Sequence, residues 1–196
     1  RICSQEIIEF LFRNSGRELE ALKVLKNYLY DAYWVTRKSL VNIITRMYRG
    51  SGKEMEAISF LLPFLRDESK YVRGTVSEIL GLLIRNGPLE RETVPLFKKY
   101  LEDPNKYVRR AALRAMGYIY RETANKDARR LIKLFLRDVD PGVRLTAAKV
   151  IFKIFKNTNN DDLIRETLSP LLEDDIWYVR STVKDIFKHL SGLNQI

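Results

Sequence analysis

The chain holds one cysteine and one histidine in 196 residues. Cys3 has no second cysteine to pair with, which suits a reducing compartment. His189 lacks an HxxxH or HExxH companion, so a histidine-based zinc site of the usual kind cannot form within one chain. Cys3 and His189 stand near opposite ends of the sequence, so a Cys-His or Ser-His-Asp relay has no support either. Phosphate-cradling loops of the GxxxxGK[ST] or GxGxxG type are missing. No stretch approaches the roughly 20 apolar residues of a membrane-spanning helix, and no basic-then-apolar leader with a cleavage site is present. These absences lead us to expect a cytoplasmic protein with no membrane span, metal, cofactor or catalytic constellation.

What is present is a soluble-protein composition, 45% hydrophobic and 31% charged, arranged as a repeat. The clearest copy is residues 103–121, where Asp103 stands six positions before Arg109 and a valine immediately precedes that arginine. The six-residue spacing recurs as Asp31 with Arg37, Asp67 with Arg73, Asp138 with Arg144 and Asp174 with Arg180. The arginines advance by 36, 36, 35 and 36 residues, and one step back from Arg37 lands on Arg1. A fixed period of this length means a solenoid, whose units bury their apolar faces only by stacking. We read one solenoid over 1–196, with a half-repeat at 1–16 and repeats at about 17–51, 52–88, 89–124, 125–160 and 161–196. The start in mid-repeat without methionine suggests a longer chain.

Each repeat reads as helix A, a turn carrying the aspartate, then helix B carrying the arginine. Two positions before every aspartate is a leucine: Leu29, Leu65, Leu101, Leu136 and Leu172. Six before come Leu25, Leu61, Phe97, Ile132 and Leu168, which gives helix A one apolar stripe. In helix B, the positions six, seven and ten after the arginine are apolar in every copy, and the position two after is always small. Cys3 occupies that small register, so it reads as a packing residue. Pro63, Pro95 and Pro170 fall within helix A and predict a bend or a late start there.

This unit resembles HEAT repeats, particularly the HEAT-like subtype of phycobilisome lyases, and the resemblance covers the whole chain. It implies an all-α, right-handed α-α superhelix of five hairpins plus the N-terminal half-repeat. It also implies that the turn aspartates and helix B arginines join adjacent units as a hydrogen-bonded ladder: Asp31, Arg37, Asp67, Arg73, Asp103, Arg109, Asp138, Arg144, Asp174 and Arg180. Physics points the same way, since a carboxylate is favoured near a helix N-terminus and an arginine fork can grip it with charge-assisted bonds. A catalytic carboxylate array would need unlike environments, whereas these recur identically.

The B segments carry 21 Lys or Arg against four acids, while the remainder is net acidic. In HEAT-like solenoids the B helices line the concave surface, so the resemblance puts the excess there. Candidate partner-binding residues are Arg110, Arg114, Tyr118, Arg121, Lys149, Lys153, Lys156, Lys184 and Lys188. We expect a non-enzymatic scaffold for a partner protein with an acidic segment, drawn by this field. Nucleic acid is the alternative ligand, in a module related to DNA repair, although aromatic side chains for base stacking are sparse. The resemblance adds a third reading, a subunit of a bilin lyase or chaperone-like complex. It also brings in HEAT-like glycosylases with Trp, Asp and Arg, but Trp34 and Trp177 read as covers for the end of the apolar core.

Overall fold

A computed structural model of the chain describes residues 2–12, 15–85 and 90–193; the side chains of residues 2–6, 18, 90–94 and 193 fall outside that description. Cys3 is among those side chains. The described residues are helices joined by short turns. The chain divides into two compact units, 1–93 and 94–196.

In the first unit, α1 (Ile2–Phe12), α3 (Trp34–Tyr48) and α5 (Lys70–Ile84) form the B layer. Helices α2 (Glu18–Leu25) and α4 (Glu54–Leu61) form the A layer. The layer follows from sequence: Ile43, Ile44, Met47, Ile79, Leu80 and Leu83 are all buried at the registers that recur after each arginine. Helix α1 departs from this pattern. Its Ile7 and Leu11, at two of those registers, are 58% and 60% exposed. Turns between hairpins use the left-handed backbone, as at Gly50 with φ of +76°.

Helix α6 (Glu90–Leu101) runs across the division between units. The second unit continues with α7 (Lys106–Ile119), α8 (Lys126–Lys133), α9 (Pro141–Phe155), α10 (Asp161–Leu168) and α11 (Trp177–Leu193). Helices α7, α9 and α11 stack in order as the B layer, with α8 and α10 on their other side. Met116, Ile119, Ile151, Ile154 and Leu190 fill the space between the layers. A tight approach joins α7 to α9: a Cβ on Gly117 would stand 3.0 Å and 3.2 Å from the two Val150 methyls.

The second half of helix A tightens to 3-10 geometry at 26–28, 62–66, 134–137 and 169–173. Pro63 and Pro170 sit at the start of two of these segments. Leu134–Arg137 and Lys26–Tyr28 tighten with no proline, so the ring is not the general cause. Each segment ends with the turn aspartate's N–H donating to the carbonyl three residues back, as Asp67 does to Phe64 at 3.1 Å. Pro95, by contrast, is carried inside α6 without interrupting it.

Candidate functional site

The turn aspartate is organised locally before it meets any arginine. Its carboxylate accepts the backbone N–H two residues on, from Tyr33 at Asp31, Ser69 at Asp67, Asn105 at Asp103, Asp140 at Asp138 and Ile176 at Asp174. This is the Asx turn that aspartate forms readily. In Asp67, Asp138 and Asp174 it leaves one carboxylate edge facing the helix B of the preceding hairpin.

In the first unit, Arg37 donates from Nε and Nη2 to both oxygens of Asp67 at 2.6 and 2.8 Å. Its Nη1 donates to the backbone carbonyl of Asp31, in its own hairpin, at 2.6 Å. The second unit repeats this twice. Arg109 grips Asp138 at 2.8 Å on both oxygens, and Arg144 grips Asp174 at 2.7 Å on both. Their Nη1 atoms hold the carbonyls of Asp103 and Asp138. Each arginine therefore closes its own turn and clamps the next. Arg73 holds its own turn in the same way, through the carbonyls of Asp67 and Glu68.

These pairs are nearly dry, with Arg37 and Asp67 side chains each 6% exposed. The hydrogen bond from Asp67 raises the Arg37 guanidinium above its ordinary value, against the opposing effect of burial. Asp174 is held below the usual carboxylate range, first by the Arg144 hydrogen bond and further by the Ile176 N–H. A carboxylate and guanidinium locked in this way are structural ties rather than a proton-transfer pair.

The candidate partner-binding residues fall into three groups. Arg114 and Lys149 project from α7 and α9 into solvent, and neither of these helices contains an aspartate or glutamate. Lys153 and Lys156 lie back on aromatic faces instead. The Lys153 ammonium stands 3.2 Å from the centroid of Tyr118, and that of Lys156 stands 5.8 Å from Phe152. Arg121 meets Glu122 at 3.3 Å. Arg110 is drawn in over Gly142, its Nε buried without a hydrogen-bond partner, beside the Lys106–Asp140 pair at 3.0 Å.

Lys184 and Lys188 do not continue this stripe. They stand four and eight residues after Arg180, the register at which Leu113 and Gly117 of α7 are buried and Gly117 meets α9. They line a shallow cleft on α11 with Phe187, Ser191 and Gly192. The positions of α11 that match Arg114 and Tyr118 are Asp185 and His189, and His189 meets the Phe152 ring edge-on at 5.4 Å. The sequence shows lysines at one helical pitch, but only packing shows which pitch faces a neighbour. The signal available beforehand was the run of small residues, glycine above all, at that register in α7.

Of the two tryptophans, Trp177 differs from expectation. Trp34 stacks on Tyr71 at 4.8 Å, whereas Trp177 is 69% exposed and touches Tyr178 edge-on at 5.8 Å, so it covers no core. In the first unit, a groove of about 1270 Å³ that sequence reasoning missed runs between the two A helices, lined by Leu22, Tyr30, Phe60 and Pro63 and reaching Asp67. Among the described residues no cluster of His, Cys, Asp and Glu is arranged to hold a metal, and no helix is long and apolar enough to cross a membrane.

Helical hairpins in two layers, tied turn to turn by arginine–aspartate clamps, define an α-α solenoid. Residues 58–151 match the family model of HEAT repeats. That stretch is built of HEAT repeats. No curated protein matches the chain. Among solved structures it is similar to the complex of CpcE and CpcF of phycocyanin lyase from Nostoc sp. PCC7120. Identity there is 17% over 84% of this chain and 95% of that one, with a TM-score of 0.61. It is also similar to YibA of E. coli, at 23% identity over 93% of this chain and 62% of that one, with a TM-score of 0.57. An engineered protein aligns at 17% identity over 89% and 81%, with a TM-score of 0.50. At these identities the likeness is one of fold.

Proposed function

We propose that the chain is a non-enzymatic, cytoplasmic interaction scaffold that holds an acidic segment of a partner protein against α7 and α9. The observation that carries this reading is the pairing of exposed cations at Arg114 and Lys149, on two helices without an aspartate or glutamate of their own, with ammonium groups seated on Tyr118 and Phe152. A ring face covered by an ammonium is not open to a nucleobase, so single-stranded nucleic acid forfeits its stacking contribution of about 1–3 kcal/mol per base. A carboxylate loses nothing by this arrangement, because it needs only the cations.

The test is fluorescence anisotropy of a labelled oligoglutamate peptide against duplex and single-stranded oligonucleotides across a salt series. The peptide is expected to bind the wild type and to lose tenfold or more in affinity for Arg114→Glu/Lys149→Glu. Duplex DNA binding tighter than the peptide, with a steep fall in salt, would instead establish the nucleic-acid alternative. The fold shared with the phycocyanin lyase proteins, which form a two-protein complex, supports a second reading as a lyase subunit or chaperone acting with a second chain. A shift in the visible absorption of added bilin would favour that reading.

A further inference from the structure

The groove of about 1270 Å³ in the first unit has both walls in the A layer. Leu19, Leu22, Lys23 and Lys26 face it from α2, at the spacings of three and four residues that put side chains on one side of a helix. Met55, Glu56, Ser59 and Phe60 face it from α4. At its end Arg37 grips Asp67 and holds the carbonyl of Asp31, which ties together the two hairpins that carry these walls. An occupant therefore meets a preformed site and loses little to rearrangement of the walls.

The groove is apolar at registers where the other repeats are charged. Twelve positions before the turn aspartate, Leu19 and Met55 stand where later repeats have Arg91, Lys126 and Asp162. One position before it, Tyr30 stands where the others have Arg66, Glu102, Arg137 and Glu173. Yet Leu19 is 47% exposed and Tyr30 92% exposed, so burial within the unit does not account for them, whereas a covering partner does. The rims differ in sign, with exposed Lys23 and Lys26 along α2 and exposed Glu56 on α4. A single-headed amphiphile complements one rim, and a segment with charged side chains on both flanks complements both. An extended strand would lay its backbone N–H and C=O groups against Leu22 and Phe64, which offer them no partner, while a helix satisfies its backbone internally. From Leu19 to Tyr30 the groove runs about 16 Å, at about 1.5 Å per residue, which is about three helical turns.

We propose that this groove docks an amphipathic helix of a second protein, its apolar stripe on Leu19, Leu22 and Phe60, its acidic flank along Lys23 and Lys26 and its basic flank at Glu56. The argument rests on the misplaced apolar registers and on charge complementarity of the two rims. It stands apart from the α7–α9 reading.

The test is fluorescence anisotropy with the full chain and a labelled peptide of about 14 residues, long enough for the groove, with leucines at i, i+3, i+4 and i+7, glutamates on one flank and lysines on the other. A second peptide carries two prolines at outward-facing positions, which breaks the helix and keeps the apolar and charged residues. A third carries lysines on both flanks. The first peptide is expected to bind at least about tenfold tighter than the proline peptide. Leu19→Asp, at an exposed position, should weaken it about tenfold, with circular dichroism verifying the fold. Lys23→Glu/Lys26→Glu should weaken the first peptide about tenfold and tighten the third, a reciprocal shift that misfolding cannot produce. Arg114→Glu/Lys149→Glu should leave the first peptide unchanged. Binding that falls only with Arg114→Glu/Lys149→Glu would overturn the proposal and place the peptide on the B helices. Equal binding of the first and proline peptides, or no reciprocal shift, would also overturn it. So would no binding of the first peptide, and saturable dodecanoate binding lost in Leu19→Asp would then assign the groove to a small amphiphile.

Discussion

Arg144 and Asp174 are 30 positions apart in the chain, yet both carboxylate oxygens of Asp174 accept from the Arg144 guanidinium at 2.7 Å, while its third nitrogen holds the carbonyl of Asp138. One side chain thus fixes its own turn and the next. The two side chains are 12% and 3% exposed, so removing one partner leaves a buried, uncompensated charge. Asp174→Ala should destabilise the chain by about 3–5 kcal/mol. Replacing the exposed Asp175, which meets Arg144 at 2.7 Å, should cost less than about 1 kcal/mol. Urea unfolding of the two variants checks the contrast.

The same pair sets an acid limit on stability. The carboxyl of Asp174 is depressed in the folded chain, chiefly by the Arg144 hydrogen bond, and in the unfolded chain it returns to about 3.9. A depressed carboxylate stabilises the fold fully above that value and loses its contribution as pH falls through the lower, folded value. Stability measured from pH 7 downward should hold to about pH 5 and then fall, and the Asp174→Asn variant should show a shallower fall. Identical acid profiles would remove Asp174 from the account.

Much of the fold was legible because a solenoid writes its geometry as a period. The recurrence of Arg37, Arg73, Arg109, Arg144 and Arg180 marks every helix B, and the leucines from Leu29 to Leu172 mark the end of every helix A. Periodicity does not say which side of a helix meets its neighbour. Lys184 and Lys149 are both lysines on a B helix, yet they stand four and five residues after their arginines, and that step of about 100° turns Lys184 to a different side of its helix. Ring contacts were equally hidden. Tyr118 and Lys153 are 35 positions apart, and their meeting depends on how α7 and α9 are offset. The 3-10 tightening at Leu134–Arg137 leaves no mark in composition at all, since no proline or glycine signals it.

The contact between Tyr118 and Lys153 is itself measurable. An ammonium 3.2 Å above a ring centroid and partly shielded from water is worth about 0.5–2 kcal/mol. A double-mutant cycle with Tyr118→Leu and Lys153→Met should return a coupling energy in that range, falling little in high salt because the pair is half-buried. Additive effects of the two substitutions would show that ring and ammonium do not interact in solution.

Gly117 should resist replacement even by alanine, although alanine favours a helix by about 1 kcal/mol. Its Cβ would stand 3.0 and 3.2 Å from the two methyls of Val150, closer than side chains pack without adjustment. Val150 cannot swing aside freely: it is β-branched, 4% exposed and set in the middle of α9. Overpacking of this kind costs about 1–3 kcal/mol, which exceeds the helix gain, so Gly117→Ala should be net destabilising by about 1 kcal/mol. The discriminating measurement is Gly117→Ala in a Val150→Ala background, where the clash is removed and only the helical preference remains. There the same substitution should become neutral or stabilising, and a cost that persists would mean that the close approach of α7 to α9 is not what selects glycine.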